Sequence, residues 1–227
     1  MQFYETLLIE TAKEREELFN VPLIKAGSSG KVSLEAYVAF LTEAYHHVKH
    51  TVPLLQLCGS RLPEQYVWLR DGVNEYIEEE IGHEEWILND IRACGADAEA
   101  VRNGAPILST ELMLKYAYEM INNINPVGFF GMVLVLEGTS VALATQAGEE
   151  LQRGLNLKSD AFSYLSSHGA LDVAHTDFYA GLINKIEDEK ERALLIFSAK
   201  NFYRLYGDIF RELGIRFLHA NKTLVPA

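Results

Sequence analysis

The stretch His168-Gly-Ala-Leu-Asp172-Val-Ala-His175 sets two imidazoles and a carboxylate at spacings of four and three. On a helix, at about 100° per residue, Asp172 lies about 40° to one side of His168 and His175 about 20° to the other. All three side chains then leave one narrow stripe. Two imidazoles and a carboxylate are donors that suit iron, manganese or zinc. The same spacing also describes a polar helix face with two ordinary histidines, so the stripe needs partners before it is a site.

Two further segments supply them. Glu78-Glu79-Glu80-Ile-Gly-His83-Glu84-Glu85 contains a Glu-x-x-His step, and Glu80 and His83 reach one point from a shared helix face. Carboxylate-bridged dimetal proteins built on helix bundles use such a step. Glu79 is also within reach of His83, so the choice between Glu79 and Glu80 stays open, and a solvated acidic face fits the same residues. Glu137 stands alone in Met-Val-Leu-Val-Leu-Glu-Gly-Thr-Ser-Val-Ala-Leu-Ala. A helix apolar nearly all round belongs in the core, where an ionised carboxylate is costly unless a metal, an Arg or a His compensates it, or it is protonated. Together, Glu80, His83, Glu137, His168, Asp172 and His175 make six donors from three helices. They suit a pair of iron ions and leave positions open for dioxygen and a substrate.

Glu43-x3-His47-x2-His50 repeats the four-then-three spacing on another helix and forms a rival set. Because Glu80 and Glu137 already have partners, His47 and His50 read as packing or pocket-lining groups, and His46 as solvent-facing. Arg204 and His50 are candidate substrate contacts, Arg204 as a bidentate fork for a carboxylate. Phe129, Phe130 and Met132 precede Glu137 by one to two turns, where they would line a channel to the metal.

The elements that must hold these residues are helices. Apolar residues recur at helical spacing between sparse breakers, with six prolines and 16 glycines in 227 residues. Helices are expected over 2–19, from an N-cap at Ser33 to about Gly59 with a bend at Pro53, and from Pro63 to about Gly95. Shorter ones follow over 98–102 and from Ser109 to about Asn123. Pro126 opens the most apolar helix; Asp160 lies in the first turn of the next, which reaches about Asp188, and 189–218 form the last. No strand pattern, repeat or domain linker is visible. A single all-α domain of about seven or eight helices is predicted over 1–227.

Composition narrows the function. A net charge of −12 opposes a phosphate-tracking nucleic-acid binder or a polybasic membrane-surface protein. The apolar stretch from Pro126 to Ala144 carries Glu137 at its centre and reads as too short and polar to span a membrane. The acidic N-terminus predicts no signal peptide, and Cys58 and Cys94, without CxxC spacing, fit a reduced cytoplasm.

The order Glu-x-x-His, an isolated Glu 57 positions after the first, then His-x3-Asp-x2-His resembles the haem-oxygenase-like di-iron oxidases and oxygenases, whose superfamily includes the TenA thiaminases and the pyrroloquinoline-quinone synthase. The resemblance spans about residues 5–218. It implies a haem-oxygenase-like bundle without haem that binds two irons and activates dioxygen, with Glu80 and Glu137 bridging or chelating. His83 and His168 would ligate one iron, and Asp172 with His175 the other. Members oxidise fatty acids, amino acids or derivatives. Some place the first Glu seven residues before the His; here that position is Tyr76, and the resemblance is to the Glu-x-x-His variant instead.

The expected partners are therefore dioxygen, a small-molecule substrate and an external electron donor, with manganese able to use the same ligands. A homodimer is compatible with the sequence, which offers no specific interface. A TenA-like hydrolase of thiamine-related compounds needs a pocket cysteine. Haem ligation needs a His on the first helix, and residues 1–20 contain none. A helical regulatory or binding protein is the non-catalytic alternative, without a basic recognition helix to support DNA contact.

Overall fold

The computed structural model describes residues 1–218, apart from the side chains of 168–174. The fold is all-α, and the long helices expected from periodicity are cut where local chemistry interrupts the backbone ladder. Among the described residues there are twelve α-helices. The first predicted helix is two, α1 (Phe3–Glu10) and α2 (Ala12–Phe19). Between them the Thr11 hydroxyl donates to the Leu7 carbonyl at 2.7 Å, competing with the ladder. Pro22 opens a short α3 (Pro22–Gly27), at the position where a missing N–H costs nothing. Ser33 caps α4 (Leu34–Val48) by accepting from the Ala36 N–H at 3.2 Å.

The helix expected to bend at Pro53 breaks before it. Helix α5 (Thr51–Arg61) starts afresh, because the proline ring would clash with a helical carbonyl at Lys49. The single helix expected from Pro63 is likewise two, α6 (Val67–Glu80) and α7 (His83–Ala93). Between them Ile81 is extended and Gly82 adopts φ +89°. Only glycine takes that left-handed conformation without steric cost. The short α8 (Ala98–Asn103) falls where expected, capped by Asp97.

Helix α9 (Leu108–Glu119) begins from Ile107, not Ser109. Distant carboxylates satisfy its first groups. Glu43 accepts from the Ile107 N–H at 3.1 Å and the Thr110 hydroxyl at 2.6 Å, and Glu212 accepts from the Ser109 hydroxyl at 2.7 Å. A π turn (Met120–Ile124) and a 3-10 turn (Pro126–Phe129) lead into α10 (Phe130–Leu155). Asp160 lies in a separate 3-10 turn (Ser159–Ala161), ahead of α11 (Ser163–Ile183), which stops short of Asp188. Asp188 instead caps α12 (Glu189–Phe217).

Helix α10 packs along α11 and α12 at the centre of the bundle. The helical run Pro126–Leu155 is long and apolar enough to cross a membrane, longer than its apolar sequence to Ala144 suggests, but most of it is buried against neighbouring helices. Ser198 of α12 donates to the Gly128 carbonyl at 2.6 Å. A Cβ on Gly131 would lie 2.7 Å from the Ala199 backbone nitrogen, so the two helices meet backbone to backbone. A second, smaller core joins Tyr37 and Leu41 of α4 to Ile87, Leu88 and Ile91 of α7.

One buried acid orients α11. Asp90 of α7 is fully buried and accepts from the Ser163 N–H at 3.0 Å, the Tyr164 N–H at 2.9 Å and the Ser163 hydroxyl. Asp90→Ala leaves these N–H groups unmet and is expected to cost about 2 kcal/mol, read as a lower denaturant midpoint at an unchanged slope.

Candidate metal centre

Glu79 and Glu80 end α6 and His83 begins α7, so the Glu-x-x-His pair does not share a helix face. The left-handed turn at Gly82 nevertheless brings them together, with Glu80 Oε2 at 3.2 Å from His83 Nδ1. Trp86, one turn on, stacks on the His83 ring at 4.0 Å between centroids and holds its plane. Glu79 serves the other imidazole: its Oε2 lies 2.8 Å from His175 Nε2, and His175 Nδ1 lies 3.7 Å from Glu137 Oε1. Both glutamates left open by the sequence therefore face the site.

Tyr76, seven residues before His83, donates its hydroxyl to Glu137 Oε2 at 3.3 Å. Burial, with the Glu137 charge next to it, pushes the Tyr76 hydroxyl far above its ordinary pKa, so it remains a donor. The Tyr76 ring also meets His175 edge-on at 5.9 Å, packing the imidazole from the side.

Helices α6, α7, α10 and α11 thus form two acid–imidazole clusters, Glu80 with His83 and Glu79 with His175 and Glu137, and Glu80 and Glu137 line one cavity. The chemistry of this donor set suits iron. Among the described residues, no three such groups already form a metal cage. His168 and Asp172 fall among 168–174, whose side chains lie outside the described residues; the backbone of α11 is helical through them, as their stripe requires.

The rival set does not assemble. Glu43 turns toward the start of α9, and burial raises its carboxyl pKa above the ordinary range. His47 Nδ1 lies 2.9 Å from the Glu43 carbonyl, which can only accept, so the bond needs the proton on Nδ1. His50 Nδ1 pairs with the Tyr118 hydroxyl at 2.9 Å. His46 is buried rather than solvent-facing, because it packs edge-on against Tyr45; burial and Lys49 push its pKa down to about 4.

An apolar cavity of about 190 Å³ adjoins the centre. Glu80, Glu137 and Tyr76 contribute to its wall, with His47 from α4, Tyr206 from α12, and Phe129 and Met132 ahead of Glu137. Phe130 is instead a core residue. Arg204 and His50 do not line it: Arg204 is exposed on α12, with its guanidinium 3.4 Å from Glu14. Neither cysteine lines it either. Burial pushes the Cys58 thiol up to about 12, and burial with Asp90 pushes Cys94 up to about 11. Sequence reasoning missed Trp86, whose signal was an aromatic three residues after a candidate ligand.

Comparison with known proteins agrees with this architecture. A solved domain of unknown function with a heme oxygenase-like fold from Shewanella denitrificans OS217 is 22% identical, with a TM-score of 0.84 over 98% of this chain and 96% of that one. A TenA homolog from Pseudomonas syringae pv. tomato DC3000 is 12% identical (TM-score 0.79, 94% and 93% covered). Heme oxygenase-1 from Synechocystis sp. PCC6803, solved in complex with heme, is also 12% identical (TM-score 0.76, 98% and 96% covered). No curated protein matches the chain. Residues 38–207 match the model of a family described as iron-containing redox enzymes, and since this span is most of the chain, the protein belongs to that family.

Proposed function

We propose that this protein is a non-haem di-iron oxidase or oxygenase that uses dioxygen to oxidise a small organic substrate. The observation that carries the reading is that Glu80, paired with His83, and Glu137, which faces His175 and through it Glu79, both line one apolar cavity. Glu80, His83 and His168 would hold one iron, and His175, Asp172 and Glu79 the other, with Glu137 between them. Iron, when bound, would supply the one-electron and dioxygen chemistry, with electrons from an external donor.

The chain's own residues do the rest. The Tyr76 hydroxyl orients one oxygen of Glu137 and leaves the other toward His175. The aromatic packing of Trp86 and Tyr76 fixes both imidazole planes. The mostly apolar wall lowers the local polarity on the substrate side, which strengthens electrostatic contacts there. A TenA-like hydrolase would need a thiolate in the cavity, and both thiols are protonated at neutral pH and lie elsewhere.

Anaerobic titration with Fe(II) tests the reading. The expected result is two irons per chain and a visible absorption band on exposure to air, both lost in His175→Ala. Manganese in place of iron in protein purified without added metal would show that the site prefers the other ion. A wild-type protein that retains neither metal overturns the proposal.

A further inference from the structure

Glu137 is followed on α10 by two hydroxyls that the metal reading does not use. Thr139 and Ser140 both line the cavity, Thr139 is only 8% exposed, and neither hydroxyl has a hydrogen-bond partner among the described residues. A helical Thr or Ser usually satisfies its hydroxyl on the preceding turn. Leaving two neighbouring hydroxyls buried and unmet costs stability, and both lie on one wall of an apolar space. Beyond them the α10 wall is Leu143, Ala144, Ala147 and Leu151, without a polar group. Ser140 to Leu151 spans about 16 Å of helix, which bounds a stretched chain at roughly a dozen carbons.

The charge of the cavity constrains the ligand further. Glu80 and Glu137 reach it, whereas no lysine or arginine does among the described residues. The protein therefore offers an anionic group no permanently charged cation from these walls, while hydroxyls suit an uncharged donor or acceptor.

We propose that Thr139 and Ser140 form a specificity subsite that hydrogen-bonds an uncharged hydroxyl or carbonyl group of a single-chain aliphatic substrate. Its tail runs along Leu143, Ala147 and Leu151. This deepens the oxidase reading and rests on the cavity being its substrate chamber.

Calorimetric titration of the metal-free protein tests it with octan-1-ol, octanoate and 1-bromooctane, the last having the chain without a comparable hydrogen-bonding group. Octan-1-ol is expected to bind at least about tenfold more tightly than octanoate. In Thr139→Val/Ser140→Ala it should weaken about tenfold, with 1-bromooctane little changed. Octanoate binding as well as the alcohol, equal losses for alcohol and bromide, or no binding of the alcohol each overturn the subsite. Iron stoichiometry measured on the same variant separates the two ideas. A double variant that takes up iron like wild type but loses the alcohol preference supports the subsite, whereas a wild type that binds the alcohol and no iron defeats only the oxidase reading.

Discussion

Glu137→Gln is expected to lose iron and at least about a hundredfold of oxygen uptake, yet to unfold, metal-free, at a higher temperature than the metal-free wild type. The opposite signs follow from one geometry. Glu137 is largely buried, 3.7 Å from His175, whose other nitrogen already faces Glu79, and Glu80 reaches the same cavity. Without a metal, the largely buried carboxylates of Glu80 and Glu137 face one cavity, and like charges brought together in a poorly solvated space oppose folding. Glutamine keeps the shape and can still accept from Tyr76 through its carbonyl oxygen, while removing one of the negative charges gathered there. A gain of about 1 kcal/mol would raise the midpoint by roughly 2–4 °C. Iron analysis and differential scanning calorimetry on both proteins decide it. Retained iron would remove Glu137 from the ligand set, and a lowered midpoint would mark it as a structural residue.

The second large effect is structural, and it acts on the helix that carries Glu137. Gly131→Ala is expected to destabilise by about 3 kcal/mol, near the upper end for overpacking, with a midpoint fall of roughly 10 °C. The added carbon would meet Ala199 backbone atoms at 2.7 and 3.0 Å, and backbone cannot swing aside as a side chain does. Relief requires α10 and α12 to separate, which also strains the bond from Ser198 to the Gly128 carbonyl. Gly181→Ala is the control, since Gly181 is an exposed helical position where an added methyl meets nothing. There the better helix former should raise stability by up to about 1 kcal/mol. Equal effects at both positions would show that helix propensity, not the α10–α12 approach, governs Gly131.

Periodicity made the all-α class legible, and Ser33, the short helix after Asp97 and the final helix from Glu189 lie where local signals put them. The division of long helices was harder to see. Thr11 breaks the first through a side-chain bond that competes with the ladder, a choice that propensity alone does not decide. Gly82 carried a readable signal, a glycine following a polar run, yet the Glu-x-x-His spacing favoured an unbroken helix. The start of α9 was hidden for a different reason. Its caps, Glu43 and Glu212, lie 64 and 103 residues away in sequence, and such long-range caps leave no local trace.

The site shows the same division. Glu137 was visible because a lone carboxylate in an apolar helix demands compensation. Its actual neighbour Tyr76 was noticed only as a residue that was not a glutamate, since which hydroxyl faces which acid depends on the packing of α6 against the rest of the bundle. His46 was misplaced at the surface. Residues 43–48 of α4 are all buried where α7, α9 and α12 pack on the helix, so even a polar residue there is enclosed. The two unpartnered hydroxyls after Glu137 were unreadable, because only the cavity distinguishes them from serine and threonine bonded to the previous turn.

The burial of α10 also has a consequence during synthesis. Its main covers, α11 and α12, lie C-terminal to it, and α12 ends at Phe217. From the completion of Leu155, a nascent chain must add about sixty residues before the last cover exists, roughly 3–12 s at ordinary elongation rates. For that interval a long apolar helix is without its native partners. The amino-terminal helices can shelter only part of it, so slow translation through α11 and α12 should lower the soluble yield, and chaperones that bind apolar segments should raise it.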